Sequence, residues 1–182
     1  LKFSKLNENN QPAVFEYGNN FYKEPLTSGY RLTIGPSKHH INLMDALASS
    51  WKSEKYYALY VSLISHIGME QGRYQSPVMA DYEDLRLFMY TFQEFLEGDG
   101  RHHIWIASPE GTLVYDQHNV IFAYGNLDKY SEILLGSGLT EKEFRFPVPH
   151  MHSYNSEYTN TESELFEYWN WSHSPLQDGD EY

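Results

Sequence analysis

Cysteine is absent from this 182-residue chain, which removes disulfides, thiolate nucleophiles and cysteine-based zinc sites together. That absence suits a reducing cytoplasm, the expected location, while a start at Leu1 rather than Met leaves room for a removed leader peptide. Long hydrophobic runs are missing too. None approaches the roughly 20 residues needed to cross a bilayer, so no membrane association is expected. The chain has no glycine-rich phosphate loop, no serine elbow and no pair of histidines four apart around a glutamate. Internal repeats and low-complexity tracts are likewise lacking.

Positive charge is scarce, and in one region it vanishes. The formal charge is −12. From His150 to Tyr182 there are seven acidic residues (Glu157, Glu162, Glu164, Glu167, Asp178, Asp180, Glu181) and no Lys or Arg. Such a field repels phosphate backbones and attracts basic surfaces, so nucleic acid is not an expected partner and a basic protein is.

What the chain has in quantity is rings: 16 Tyr, 10 Phe and 4 Trp in a composition that is 41% hydrophobic. The length suits one well-formed core, and a single domain over 1–182 is expected, with 172–182 as a loose acidic C-terminal tail. "YRLTI" at 30–34 alternates as a half-exposed strand does. Helices are expected near 42–51, opened by Asn42 and Asp45, and near 53–67, where Lys55, Ala58, Ser62, Ser65, His66 and Met69 trace a stripe at helical spacing. A third spans 81–97, capped by Asp81 with Leu85, Phe88, Met89, Phe92, Phe95 and Leu96 on its apolar face. "HHIWIAS", "TLVYD" and "VIFAYG" then read as an antiparallel meander near 102–125, joined by good turn chemistry. A helix near 127–136, a strand near 142–148 and a tail helix with a Thr161–Glu164 capping box follow. Helices gathered early and strands late predict an α+β fold with a mostly antiparallel sheet.

Two stretches carry candidate chemistry. In "FPVPHMHSY", His150 and His152 stand two apart and share one side of an extended chain. In "YDQH", Asp116 and His118 repeat that spacing. If the two strand ends meet, three histidines and a carboxylate converge on one divalent ion, zinc or manganese, whose activated water suits a metal-dependent hydrolase. Against this, "DQHN" has the composition of a tight hairpin whose side chains point outward. The expectation is therefore no cofactor, with one metal ion as the alternative. "KHH" at 38–40 and "RHH" at 101–103 are expected to pack one histidine each and expose the other, with Arg101 on the surface.

The second candidate is a surface. Tyr154, Tyr158, Tyr168, Trp169 and Trp171 interleave with Glu157, Glu164 and Glu167, combining the rings that anchor interfaces with carboxylates that pair with Lys and Arg. In size, acidity and lack of cysteine, the chain resembles the small α+β proteins of bacterial toxin-immunity systems, which occlude a toxin by protein contact. That resemblance implies a non-catalytic module binding a basic partner, and this function ranks first from sequence. Metal-dependent hydrolysis ranks second. Binding of a small molecule or carbohydrate by stacking rings ranks third.

Overall fold

The computed structural model describes residues 2 to 180; Leu1, Glu181 and Tyr182, the last two counted in the acidic tail, lie outside the described residues. The elements run β1 (Phe3–Leu6), β2 (Pro12–Ala13), β3 (Asn20–Pro25), β4 (Tyr30–Gly35), α1 (His40–Ala48), β5 (Tyr57–Ser62), β6 (Gly72–Gln75), α2 (Tyr82–Thr91) and α3 (Gln93–Gly98). They continue β7 (His102–Ser108), β8 (Gly111–Tyr115), β9 (Ile121–Gly125), α4 (Leu127–Gly136), β10 (Thr140–Glu141), β11 (His150–His152), α5 (Thr159–Tyr168) and β12 (Ser172–Ser174), with a single 3-10 turn at Ser156–Tyr158 before α5. The fold is α+β with mostly antiparallel sheets.

A nine-stranded sheet in the order β10-β3-β4-β9-β8-β7-β5-β6-β12 forms the middle layer. On one face the helices bury Leu47, Phe88, Leu96 and Leu134 against Ile34, Tyr60, Ile104 and Leu113. On the other face Phe3 and Tyr17 pack on Val114, Val120 and Phe122, beneath a second, three-stranded sheet in the order β11-β1-β2. Among the described residues, no helix is long and apolar enough to cross a membrane.

The expected helix near 53–67 is instead strand β5, followed by a loop. β5 lies between β6 and β7 in the sheet and carries apolar side chains on both faces, Ala58 and Tyr60 on the helix-covered one and Leu59 and Val61 on the other, so it lacks the apolar–polar alternation that separates a strand from a buried helix. Ala58 and Ser62, two members of the expected polar stripe, are fully buried. The run Tyr56, Tyr57, Tyr60, Val61 is the better signal, since aromatic and β-branched residues favour the pleated surface.

Other boundaries move for identifiable reasons. The helix expected over 81–97 divides at Phe92, whose backbone ends α2 and begins α3, and Asp81 stands at the N-cap without a side-chain cap bond. α1 begins two residues before Asn42; the Ile41 amide is satisfied by Glu97 Oε1 at 2.8 Å, while Asp45 accepts from Tyr82 and Tyr90. α5 starts at Thr159 behind Tyr158, so the Thr161–Glu164 capping box does not form. α4 occupies Leu127–Gly136 as expected, with Asn126 accepting from the Lys129 amide.

No strand forms over 142–148. Pairing stops at Glu141 and resumes at His150, and between them Pro147 and Pro149 have no N–H to offer a ladder. Phe144 and Phe146 of this segment pack on Tyr17 instead, at ring separations of 4.8 and 6.1 Å.

From Ser172 to Asp180 the tail is held rather than loose. β12 pairs with β6, and Arg73 binds Asp180 through two bonds of 2.8 Å. Burial pushes the Asp180 carboxyl up, but the Arg73 guanidinium and the Gln177 amide outweigh it and hold the carboxyl below its ordinary value. A carboxylate so lowered stabilises the fold in full above about pH 4 and loses that contribution as the pH falls through its folded value. Protection of the β12 amides, taken relative to their intrinsic exchange rate at each pH, is therefore expected to fall in acid, and Arg73→Ala to lower it roughly tenfold at neutral pH. Hydrogen exchange that is the same in both proteins from about pH 7 to about pH 3 would show that this pair does not hold the tail.

Candidate metal centre

The centre is built from two segments distant in the chain, the β8–β9 turn and strand β11. Asp116 organises the turn. Its Oδ1 accepts from the amides of His118 at 2.9 Å and Val120 at 3.1 Å, and Asn119 takes the left-handed conformation at φ 61°, which Asn tolerates. This is local Asx chemistry, as expected of a tight hairpin. The side chains nevertheless point inward: Asp116 is fully buried and His118 nearly so.

β11 pairs with β1 in the register Phe3 to His152 and Lys5 to His150, so both histidines lie on one side of the small sheet with Phe3. Gly100 lets this strand approach. A Cβ there would stand 2.8 Å from the Lys2 carbonyl and 2.9 Å from His152 Cβ, and the Gly100 amide donates to Ser153 O at 2.9 Å.

The three imidazoles form a near-equilateral set. Ring centroids are 5.1 Å apart for His118 and His150, 4.8 Å for His118 and His152, and 5.3 Å for His150 and His152. One ligand nitrogen from each lies within 4.8 Å of the other two. Tetrahedral zinc with bonds of about 2.05 Å needs nitrogens about 3.3 Å apart, a closure within reach of small side-chain rotations.

Every ring is already oriented. Nδ1 of His118 meets Asp116 Oδ2 at 2.8 Å, that of His150 meets Pro147 O at 3.0 Å, and that of His152 meets Gln117 O at 3.1 Å. Carbonyl and carboxylate oxygens only accept, so each Nδ1 carries the proton and each Nε2 presents a lone pair. Phe3 lies against all three rings, at 5.6, 5.2 and 5.6 Å, and Phe146 lies against His118 at 5.3 Å.

Electrostatics favour that state at His152 and an ionised Asp116. Burial pushes Asp116 up, but the hydrogen bond from His118, with further help from His103 and the Val120 amide, holds it lowered and ionised. Burial, reinforced by His118 and His150, takes His152 down to about 4, and neutral imidazole is the form that binds a metal. Lys2 sits behind Asp116 with its ammonium 3.7 Å from the Tyr115 ring centre and bonded to Leu96 O, and burial lowers it to about 7.

The sequence-based candidates thus separate. His118, His150 and His152 come together, whereas Asp116 stands behind His118 as its hydrogen-bond acceptor. Phe3 and the carbonyls of Gln117 and Pro147 belong to the site but give no sequence signal, because their places depend on long-range pairing. Both histidines of "RHH" are buried, His102 against Tyr60 and Phe95 and His103 bonded to the Asp180 carbonyl, and Arg101 is fully buried rather than on the surface. His40 is buried against Tyr115 while His39 is exposed.

In the acidic tail, rings and carboxylates part. Trp169 stacks on Phe88 at 4.4 Å, Tyr168 packs on Phe92 at 5.3 Å, Trp171 donates to Leu165 O and Tyr158 packs on Phe95. Tyr154 is 43% exposed. Glu157, Glu164 and Glu167 face solvent.

No protein-family model, curated protein or solved structure matches this chain. Fold and site therefore define its class by themselves: an α+β protein in which three oriented histidines from two distant segments face one point.

Proposed function

We propose that this protein is a metal-dependent hydrolase whose zinc or manganese ion is held by His118, His150 and His152. The observation that carries this reading is the mutual approach of three ligand nitrogens within 4.8 Å, each ring braced at Nδ1 by an oxygen. Zinc in a structural site usually has four protein ligands, whereas three histidines leave a position for water, whose pKa the ion lowers to about 7. The chain's own groups divide the remaining tasks. Asp116 orients His118 and raises its basicity, Phe3 shields the inner side, and His150 and His152 are half-buried, so the outer side meets solvent.

The test is elemental analysis of untagged protein together with hydrolysis of p-nitrophenyl acetate and bis(p-nitrophenyl) phosphate. Near-stoichiometric metal is expected, with hydrolysis lost on chelation, restored by zinc or manganese and reduced about 100-fold in His150→Ala. Protein that takes up no metal, or hydrolysis indifferent to His150→Ala, would overturn the reading.

A second reading is favoured by the outward-facing carboxylates Glu157, Glu164 and Glu167, which suit a basic protein partner of a cytoplasmic, immunity-like binding module. Reversing Glu164 and Glu167 to Lys is expected to slow association with a lysine-rich peptide about tenfold at low salt without changing the fold. An association rate unaffected by the double reversal removes this surface from consideration.

A further inference from the structure

On the face of the large sheet that carries Asp116, but away from the histidines, the side chains of Tyr57, Leu59, Gln75, Trp105, Ala107 and Thr112 line an open cleft of about 440 Å³. The register explains how they meet. Gln75 pairs with Leu59 and Leu59 with Trp105 in one row across β6, β5 and β7, while Tyr57, Ala107 and Thr112 form the next row across β5, β7 and β8. Cross-strand partners project from the same side, so two rows two residues apart share one surface. The volume lies within the range of small-molecule sites.

We infer that this cleft binds a neutral carbohydrate, with Trp105 and Tyr57 as the stacking rings and Gln75 and Thr112 as hydrogen-bonding groups at its rim. Two features select that class. None of the six lining residues is charged, although the chain carries −12 overall, and the neighbouring cation, Arg73, is engaged by Asp180. An ionic ligand of either sign therefore finds no partner in the cleft. The indole of Trp105, the amide of Gln75 and the hydroxyls of Tyr57 and Thr112 line the cleft, which therefore offers donors and acceptors that a purely apolar ligand would leave unused. A sugar meets both demands, because one face of its ring presents C–H groups to an aromatic plane while its edge presents hydroxyls.

Trp105 is also held in place, with the Arg73 guanidinium 5.2 Å from its ring centre and Arg73 in turn bonded to Asp180. A ring fixed in advance loses little freedom on binding. The inference does not depend on the histidine centre, and sugar binding is expected to be the same with and without chelator.

The experiment is titration of the chelator-treated protein with cellohexaose, maltohexaose and chitohexaose, followed by tryptophan fluorescence and calorimetry. At least one of the three is expected to bind, with affinity lowered about tenfold or more in Trp105→Ala and several-fold in Thr112→Ala, a change small enough to spare the fold. Failure of all three sugars at about 10 mM overturns the proposal, as does binding that both variants leave unchanged. Loss of binding on chelation alone would place the sugar at the histidines instead and also overturn it.

Discussion

One equivalent of zinc added to chelator-treated protein is expected to raise its melting temperature by roughly 5–10 °C, and His152→Ala to abolish the rise. A ligand that binds only the folded chain stabilises it by about 2.7 kcal/mol when its concentration is about a hundred times its dissociation constant. In a chain of this length, each kcal/mol moves the midpoint by about 2–4 °C. The unfolded chain has no equivalent site, because His118 and the His150–His152 pair meet only when β11 has paired with β1 against the β8–β9 turn. Asp116→Asn should keep the ligands but weaken the brace on His118, lowering zinc affinity by about 10–100-fold. Differential scanning calorimetry with zinc and manganese decides the matter. A midpoint that neither metal moves means that the three rings pack as ordinary buried histidines.

Arg101→Met is expected to cost about 3–5 kcal/mol, a fall of roughly 6–20 °C in the melting temperature. Arg101 is wholly buried, with Asp99 bonded at 2.7 and 2.9 Å, Glu162 at 2.6 Å and the Asn155 carbonyl at 2.8 Å. Methionine preserves much of the packed volume but leaves Asp99 and Glu162, both fully buried, without their shared cation. Lysine should not rescue the protein, since one ammonium cannot reproduce the forked contacts of a guanidinium. The network also reaches the histidine centre. Asp99 accepts from the Asn155 amide at 2.7 Å, and the Gly100 amide donates to Ser153, next to His152. Arg101→Met should therefore weaken metal binding as well as stability. Chemical denaturation showing a loss under about 1 kcal/mol would mean that the two carboxylates find relief elsewhere.

Much of the architecture is legible in local signals. The Asn126 cap and apolar spacing of α4, the turn residues of the β7–β9 meander and the alternation of "YRLTI" all act within a few residues, and each corresponds to an observed element. β5 escapes such signals for a physical reason: apolar side chains on both of its faces erase the periodicity that distinguishes strand from helix. Arg101 is a parallel case. Charge predicts exposure until a fold supplies buried carboxylates, here one two residues away and one 61 residues away.

The candidate centre divides along the same line. That His150 and His152 share a side follows from a two-residue spacing in an extended chain, and that Asp116 stitches its own turn follows from Asx chemistry. Composition by itself determined the absence of thiol chemistry, the acidity of the tail and the richness in rings. Only the tertiary structure decided that His118 meets the β11 pair and that Asp116 serves His118 from behind. It also decided which rings turn inward and which stay accessible: Tyr168 and Trp169 pack on Phe92 and Phe88, while Trp105 lines a cleft. The reason is the same in each case, since these contacts join segments far apart in the chain, and local spacing carries no information about which distant strand or helix will lie alongside.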